Sequence, residues 1–316
     1  MSSLSSFRSF WQKYGTLVIL IFLILLIGIL SPKYFLTADN LTQVVLQSSI
    51  TILIAIGEFF AILIAGIDLS VGSVMAFTGL ITAKMLVAHQ PIWLAILVGG
   101  VGVGLVLGLF NGFLVNATGL HPFIITLGTQ SIYRGLTLIL SDARPVYGLP
   151  PAYMSSIGGW IWRIPVPVII AILYAAIMSW FTTKSKAGRN LYAIGGNKSA
   201  AWYNGILVKR HVSIAFAISG ISAGLAGVVM IARLGAAEPL AGVGFETYAI
   251  ASAIIGGTSF FGGVGRIWGV VIGGLVIGVI NNGLNILNVP TFYQQIVMGS
   301  LIIISVFLDH LVSSKQ

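Results

Sequence analysis

Apolar residues run through this chain in blocks of about twenty, and that pattern excludes most folds before any motif is considered. A helix of that length satisfies its backbone groups internally, which is the condition for crossing hydrocarbon. Blocks at 14–31, 42–64, 70–88, 92–115, 122–140, 164–182, 212–232, 246–261, 267–287 and 292–311 predict about ten transmembrane helices. The second, third and eighth have ends interrupted by Gly and polar residues, which marks them as candidates for re-entrant helices. Charge agrees with the pattern. Only 7% of the 316 residues are charged, where an average soluble domain has about 25%. The expected fold class is an all-α membrane protein with one transmembrane domain over 1–316.

The run from Leu17 to Leu30 lacks a small-x-small cleavage site before Ser31-Pro32, so it reads as a first span rather than a cleaved signal. Lys and Arg near span ends set the orientation. With the N-terminus inside, Arg8, Lys13, Lys184, Lys186, Arg189, Lys198, Lys209, Arg210, Arg266 and Lys315 are cytoplasmic, and Lys33, Lys84, Arg134, Arg144, Arg163 and Arg233 lie opposite. An even number of spans then puts both termini in the cytoplasm. The net charge of +9 gathers in one stretch between blocks, so it reads as a topology and partner signal in contact with lipid, not as a nucleic-acid footprint. With no cysteine, disulfides and thiolate chemistry are excluded.

Two features concern how helices meet. Phe110-Asn111-Gly112 near the end of the fourth block matches Asn281-Asn282-Gly283 in the ninth, and His121-Pro122-Phe123 matches Val289-Pro290-Thr291-Phe292. A repeat displaced by five spans must be inverted in the membrane, as in many transporters. Gly100, Gly104, Gly108 and Gly112 form a ridge of one residue per turn, and Gly269 with Gly273 and Gly274 with Gly278 do the same. Such ridges let a neighbouring backbone approach closely.

Polar groups inside the blocks are few, and each needs a partner or a wet pathway. Glu58 sits mid-block and reads either as a pathway group or as a neutral acid hydrogen-bonded to a neighbouring helix. Asp68 and Ser70, in Gly66-Ile67-Asp68-Leu69-Ser70-Val71-Gly72-Ser73, read either as helix caps or as part of a broken helix lining a cavity. Asn111, Asn281, Asn282 and Gln294 are further pathway candidates, able to bond a hydroxylated solute or to tie helices together. Catalytic signals are lacking. His89, His121, His211 and His310 have no metal-ligand spacing, and neither G-x-S-x-G nor H-E-x-x-H occurs. Gly196-Asn197-Lys198-Ser199 lacks Walker A spacing, so no nucleotide-hydrolysing site is expected here. Energy must then come from an ion gradient, for which Glu58 and Asp68 are the candidates, or from a separate subunit.

The longest polar stretch, 183–211, is expected on the cytoplasmic side. Asn197 suits an N-cap and Gly205 a helix stop, which predicts a short helix over about 197–205. A helix so short is unstable alone. Either a groove on a partner receives Ala200, Ala201 and Trp202, or the helix lies on the membrane surface.

Four segments carry a resemblance: Ala65-Gly66-Ile67-Asp68-Leu69-Ser70-Val71-Gly72-Ser73; Ala193-Ile194-Gly195-Gly196-Asn197-Lys198-Ser199-Ala200-Ala201 followed by Gly205-Ile206; Gly256 through Arg266; and Asn281-Asn282-Gly283-Leu284-Asn285-Ile286-Leu287. In order and spacing the chain resembles the ribose-type sugar permeases of bacterial ABC importers, from about residue 30 to 310. The resemblance implies a type II importer fold in the inner membrane and a dimer of this chain. It also implies two cytoplasmic ATPase subunits that use ATP and Mg, a periplasmic sugar-binding protein, and no cofactor on this chain. It makes Gly195, Gly196, Asn197, Ala200, Ala201 and Gly205 the coupling segment that docks on the ATPase, and an aldose such as ribose or allose the cargo. Lys198 stands where the family often has an acid, and Trp202-Tyr203 is bulkier than usual.

Overall fold

The computed structural model describes residues 2–313. It is helical almost throughout: α1 (Ser2–Leu30), α2 (Ala38–Leu63), α3 (Val71–Val87), α4 (Ile92–Leu94), α5 (Val103–Thr118), α6 (Pro122–Ser141) and α7 (Pro151–Ile157). After a small hairpin, β1 (Trp160–Ile161) and β2 (Ile164–Pro165), come α8 (Val166–Lys184), α9 (Lys186–Gly196), α10 (Lys198–Tyr203), α11 (Val208–Leu234), α12 (Phe245–Ile255), α13 (Ile267–Ile286) and α14 (Thr291–Ser313). A π-helical stretch (Ala95–Gly102) joins α4 to α5, so Ile92–Thr118 is one continuous rod.

Every expected apolar block is a helix, but their lengths differ. Among the described residues, α2, the Ile92–Thr118 rod, α6, α8, α11 and α13 are long and apolar enough to cross a membrane. Tyr14–Leu30, α3, α12 and Thr291–Phe307 are shorter apolar helices. The eighth block is expected to reach residue 261, yet α12 ends at Ile255. Gly256 lies against the Gly269 carbonyl of α13, where a side chain would collide, and Gly257 turns the chain with φ +86°. Its 11 residues rise about 16 Å, half the hydrocarbon thickness. The second block goes the other way. Despite its internal polar residues, α2 is unbroken over 26 residues, because Ser48, Ser49 and Glu58 all face protein. The polar stretch is expected to hold one short helix and holds two. Ser185 caps α9 by accepting from the Gly188 N–H (2.8 Å), and Leu191 and Ile194 bury its inner face.

Burial separates a core from a shell. Of the most apolar stretch of α2, 89% is buried, and of α11, 78%; for α6 the share is 22%. The outer helices expose large apolar side chains such as Val106, Phe113, Ile139 and Leu173, which suits contact with lipid tails.

The expected glycine ridges are packing surfaces. A methyl group on Gly104 would strike the Gly220 carbonyl of α11, and one on Gly108 the Phe216 carbonyl. On α13, Gly269 faces Gly256, just past α12, and Gly273 faces Ser252 of α12, while Gly274 and Gly278 face Ile52 and Ser48 of α2. The contacts also pair off across the chain. As α11 packs on α5 and α3, so α2 packs on α13 and α12; as α3 packs on α6, so α12 packs on α14.

The α5–α11 contact predicts opposite signs for two substitutions. Gly108→Ala must push α11 away and should lower stability by about 1–3 kcal/mol. Gly128→Ala on α6 meets nothing within 4 Å and should be neutral or stabilising by about 0.5–1 kcal/mol. Thermal unfolding of each variant in detergent checks the pair.

Candidate functional site

The turn between α2 and α3 carries the first site. Ala65, with φ +58°, and the Gly66 N–H bonded to the Ala61 carbonyl (2.9 Å) close α2. The chain then runs buried through Ile67-Asp68-Leu69. Asp68 is 1% exposed and both its oxygens are engaged. Oδ1 accepts from the Ser70 N–H (3.0 Å) and hydroxyl (2.6 Å), and Oδ2 accepts from the Ser219 hydroxyl of α11 (2.7 Å). The network continues outwards. Asn111 of α5 donates to the Ser70 hydroxyl (2.8 Å), and the Tyr133 hydroxyl of α6 donates to Asn111 Oδ1 (2.9 Å). On the other flank Glu58 Oε1 accepts from the Asp68 N–H (3.1 Å). Thr126 of α6 fixes the turn, accepting from the Leu69 N–H (3.1 Å) and donating to the Ile67 carbonyl (3.0 Å).

The two readings of Asp68 thus combine. Ser70 is the residue that precedes α3, and Asp68 holds Ser70 in place instead of capping the helix itself. Carboxylates suit this position, because the start of a helix presents unpaired N–H groups and the positive end of its dipole. A further acid lies beside it. Glu246, in the first turn of α12, accepts from Gln130 Nε2 (3.1 Å), and its other oxygen reaches the bare Cα of Gly72. Glu58 Oε2 and Glu246 Oε2 are buried without a hydrogen-bond partner.

Of the pathway candidates, Glu58, Asp68, Ser70 and Asn111 converge, and Asn281, Asn282 and Gln294 do not join them. Asn282 exchanges amide hydrogen bonds with Asn40 of α2 (2.8 and 3.1 Å). Gln294 donates to Asn285 Oδ1 (2.8 Å) and the Val289 carbonyl (2.9 Å), bracing the turn between α13 and α14. Asn281 Oδ1 is buried and unpaired. Sequence reasoning missed Ser219, Tyr133 and Glu246. Only Glu246 left a signal, an acid at the start of an apolar block.

The second site is the α9–α10 segment. Gly195 lies against the Leu63 carbonyl at the end of α2 and against Gly263, whose N–H donates to that same carbonyl (2.9 Å). Tyr192 donates to the Gly265 carbonyl (3.1 Å); burial pushes its phenol above the ordinary value, which keeps it a neutral donor. His211 at the start of α11 is buried. The Leu207 carbonyl (2.8 Å) can only accept, so Nδ1 carries the proton and Nε2 accepts from Asn190 of α9 (3.1 Å). Beyond this seat α10 projects. Asn197 caps it, accepting from the Ala200 N–H (2.8 Å), and Gly205 ends it with φ +78°. Ala200 is exposed, with Trp202 and Tyr203 stacked edge to face at 4.9 Å. Ala201 joins Gly195 as an exception among the expected docking residues, being buried against its own chain at 4% exposure. Gly196 stands open, since a side chain there would meet nothing within 4 Å. A cleft of about 1300 Å³ lies beside α10, lined by Lys198, Lys209, Arg210 and His121 without an acidic side chain.

Among the described residues there is no group of three His, Asp or Glu that could hold a metal ion. The side chains of the Asp68 network bond to one another across helices, an arrangement suited to holding helices in register.

Residues 40–306 match the family described as branched-chain amino acid transport system, permease component. The chain is 60% identical to the D-allose transport system permease protein AlsC of Escherichia coli K12, over 98% of this chain and 94% of that one. It is 42% identical to the ribose import permease protein RbsC of Bacillus subtilis 168, over 96% and 94%, and 33% identical to the L-arabinose transport system permease protein AraH of Escherichia coli K12, over 96% and 92%. No solved structure matches. These likenesses extend over nearly the whole chain, including all four segments singled out above; the chain belongs to the ribose-type sugar permeases of ABC importers and is a transport subunit, not an enzyme.

Proposed function

We propose that this chain forms the sugar pathway of an ATP-driven importer in a bacterial inner membrane. Two copies line the pathway, two cytoplasmic ATPase subunits drive it with ATP and Mg, and a periplasmic protein delivers the sugar. The chain itself binds no cofactor. The observation that carries this reading is the mounting of α10. It is capped, exposed and seated through Gly195 on the Leu63 carbonyl at the end of α2, just ahead of the buried Asp68 network. A push on α10 from an ATPase would reach the α2–α3 turn through backbone contacts, with no flexible linker between. The 60% identity to a D-allose permease supports an aldose of the allose type as cargo. Ten crossings with both termini cytoplasmic accommodate the four shorter helices as tilted or partial spans in a type II importer arrangement. The exchange of α2 with α11, α3 with α12, α5 with α13 and α6 with α14 preserves the packing pairs, which supports the inverted repeat.

An ion-coupled transporter is the second reading, and the unpaired Glu58 Oε2 is what favours it. Reconstitution separates the two. Vesicles holding this chain and its ATPase, with the sugar-binding protein on the opposite side, should take up aldose only with ATP on the side that bears the ATPase; uptake driven by a proton or sodium gradient without the ATPase would overturn the importer. Ala200→Glu places a charge on the exposed face of α10 and should release the ATPase from the membrane fraction, lowering co-purification by about tenfold, equivalent to roughly 1.4 kcal/mol of binding. Unchanged association would remove α10 as the docking element.

The Asp68 network gives a graded expectation. Asp68→Ala removes the acceptor of the Ser70 N–H and hydroxyl and of the Ser219 hydroxyl, and should cost roughly 3 kcal/mol in detergent unfolding. Asp68→Asn keeps an acceptor for Ser70, and the Ser219 hydroxyl can turn to accept from the new amide, so it should cost about 1 kcal/mol or less. Equal losses would show that the charge matters more than the hydrogen bonds.

A further inference from the structure

Helix α8 has 19 residues and rises about 28 Å, close to the hydrocarbon thickness of about 30 Å. It therefore fills the apolar slab with nothing to spare, and residues flanking it lie at the two headgroup layers. Its outer face exposes Ile172, Leu173 and Ile177. Near its Lys184 end Trp180 is exposed, as expected of an aromatic residue at an interface.

The other end is less ordinary. The β1–β2 hairpin leads straight into α8, with Trp160 paired to Pro165 and Ile161 to Ile164. Its two turn residues are Trp162 and Arg163. Trp162 has φ +60° and is 95% exposed. Positive φ in a two-residue hairpin turn normally selects Gly, Asn or Asp, and a bulky residue there is strained. Trp160, Ile161 and Ile164 are also exposed, at 51%, 60% and 49%. The base of the hairpin is held, with the Val166 N–H donating to the Gly159 carbonyl (2.9 Å), so the apolar tip is presented from a fixed support. Within the chain these side chains serve no core.

We propose that the Trp160–Ile164 hairpin is a membrane anchor, seated in the lipid headgroup layer on the side opposite α9 and α10. Trp162 and Trp160 lie among the upper acyl carbons and glycerol groups, and Arg163 meets lipid phosphate. The continuity with α8 fixes the occupant, since a tip that immediately precedes a span filling the hydrocarbon cannot stand far from the interface. The anchor sets the depth of α8. Because α8 passes through Ser185 alone into α9, it also braces the segment that bears α10.

The absence of cysteine makes the test direct. A nitroxide is attached to Trp162→Cys in the full chain, reconstituted in phosphatidylethanolamine and phosphatidylglycerol vesicles. Leu173→Cys on the exposed middle of α8 and Lys198→Cys on α10 serve as lipid and water references. The ratio of oxygen to water-soluble nickel-chelate collisions at 162 should fall between the references and stay there when the sugar-binding protein is added. A ratio equal to that at 198 would put the tip in water and overturn the anchor. Suppression of both collisions would mean a protein covers it, either a second copy or, if seen only on addition, the binding protein, and would overturn it equally. A second measurement keeps the native ring. The fluorescence difference between wild type and Trp162→Phe should be quenched about twofold more by lipids labelled near the headgroup than by lipids labelled near the chain end; no quenching by either would contradict the proposal.

Discussion

Asp68 is a buried carboxylate whose hydrogen-bond donors are all neutral, and much of the core is arranged to supply them. Its partners come from the start of α3 and from α11, and their own partners come from α5 and α6. In lipid an unpaired polar group costs several kcal/mol, so each link constrains where a helix can sit. The glycine contacts make this possible. Asn111 reaches Ser70 only because α5 lies close on α11, and that approach depends on Gly104 and Gly108 meeting Gly220 and the Phe216 carbonyl without side chains between. Packing and polar satisfaction thus fix the same helices twice.

The two sites are joined at the end of α2. Leu63 offers its carbonyl to Gly263, and Gly195 lies against that same carbonyl. Ala65, two residues on, lies against Gly262, and three residues further comes Asp68. Three backbones meet where a methyl group would not fit, so movement of one must displace the others. Contacts of this kind transmit displacement because close-packed protein is stiff. Gly262 and Gly263 of the Gly256–Arg266 segment are explained by this junction, while Gly256 serves the contact with Gly269 of α13.

The helices were legible in the sequence because lipid forces apolar residues into runs that soluble folds do not need. The convergence of Glu58, Asp68, Ser70 and Asn111 was partly legible, since each interrupts such a run. What the sequence withheld was partnership. Polarity inside a span says that a group needs a bond and not which helix provides it: Asn282 and Gln294 read like Asp68 in sequence, yet they brace α2 and the α13–α14 turn. Ser219 left no signal, because a serine hydroxyl in a membrane helix can bond its own preceding turn at little cost; Tyr133 left none, because a tyrosine in an apolar block reads equally as an interfacial residue. Helix α9 was hidden for a different reason: its buried face is only Gly188, Leu191 and Ile194 within a polar stretch.

The distribution of unpaired polar atoms bears on how a sugar could be chosen. A site that selects among aldoses must offer several donors and acceptors converging on one hydroxyl pattern, because discrimination comes from leaving such groups unpaired when the wrong sugar binds. Among the described residues the buried unpaired side-chain atoms are Glu58 Oε2, Thr82 Oγ1, Glu246 Oε2, Thr258 Oγ1 and Asn281 Oδ1. They belong to four different helices and a loop, and Thr82 lies against Gly99 of the π-helical stretch, away from the Asp68 turn. The remaining buried polar groups of the network are already bonded to one another. Among the described residues, the polar interior around Asp68 therefore ties helices together, and its unpaired atoms do not converge on one hydroxyl pattern.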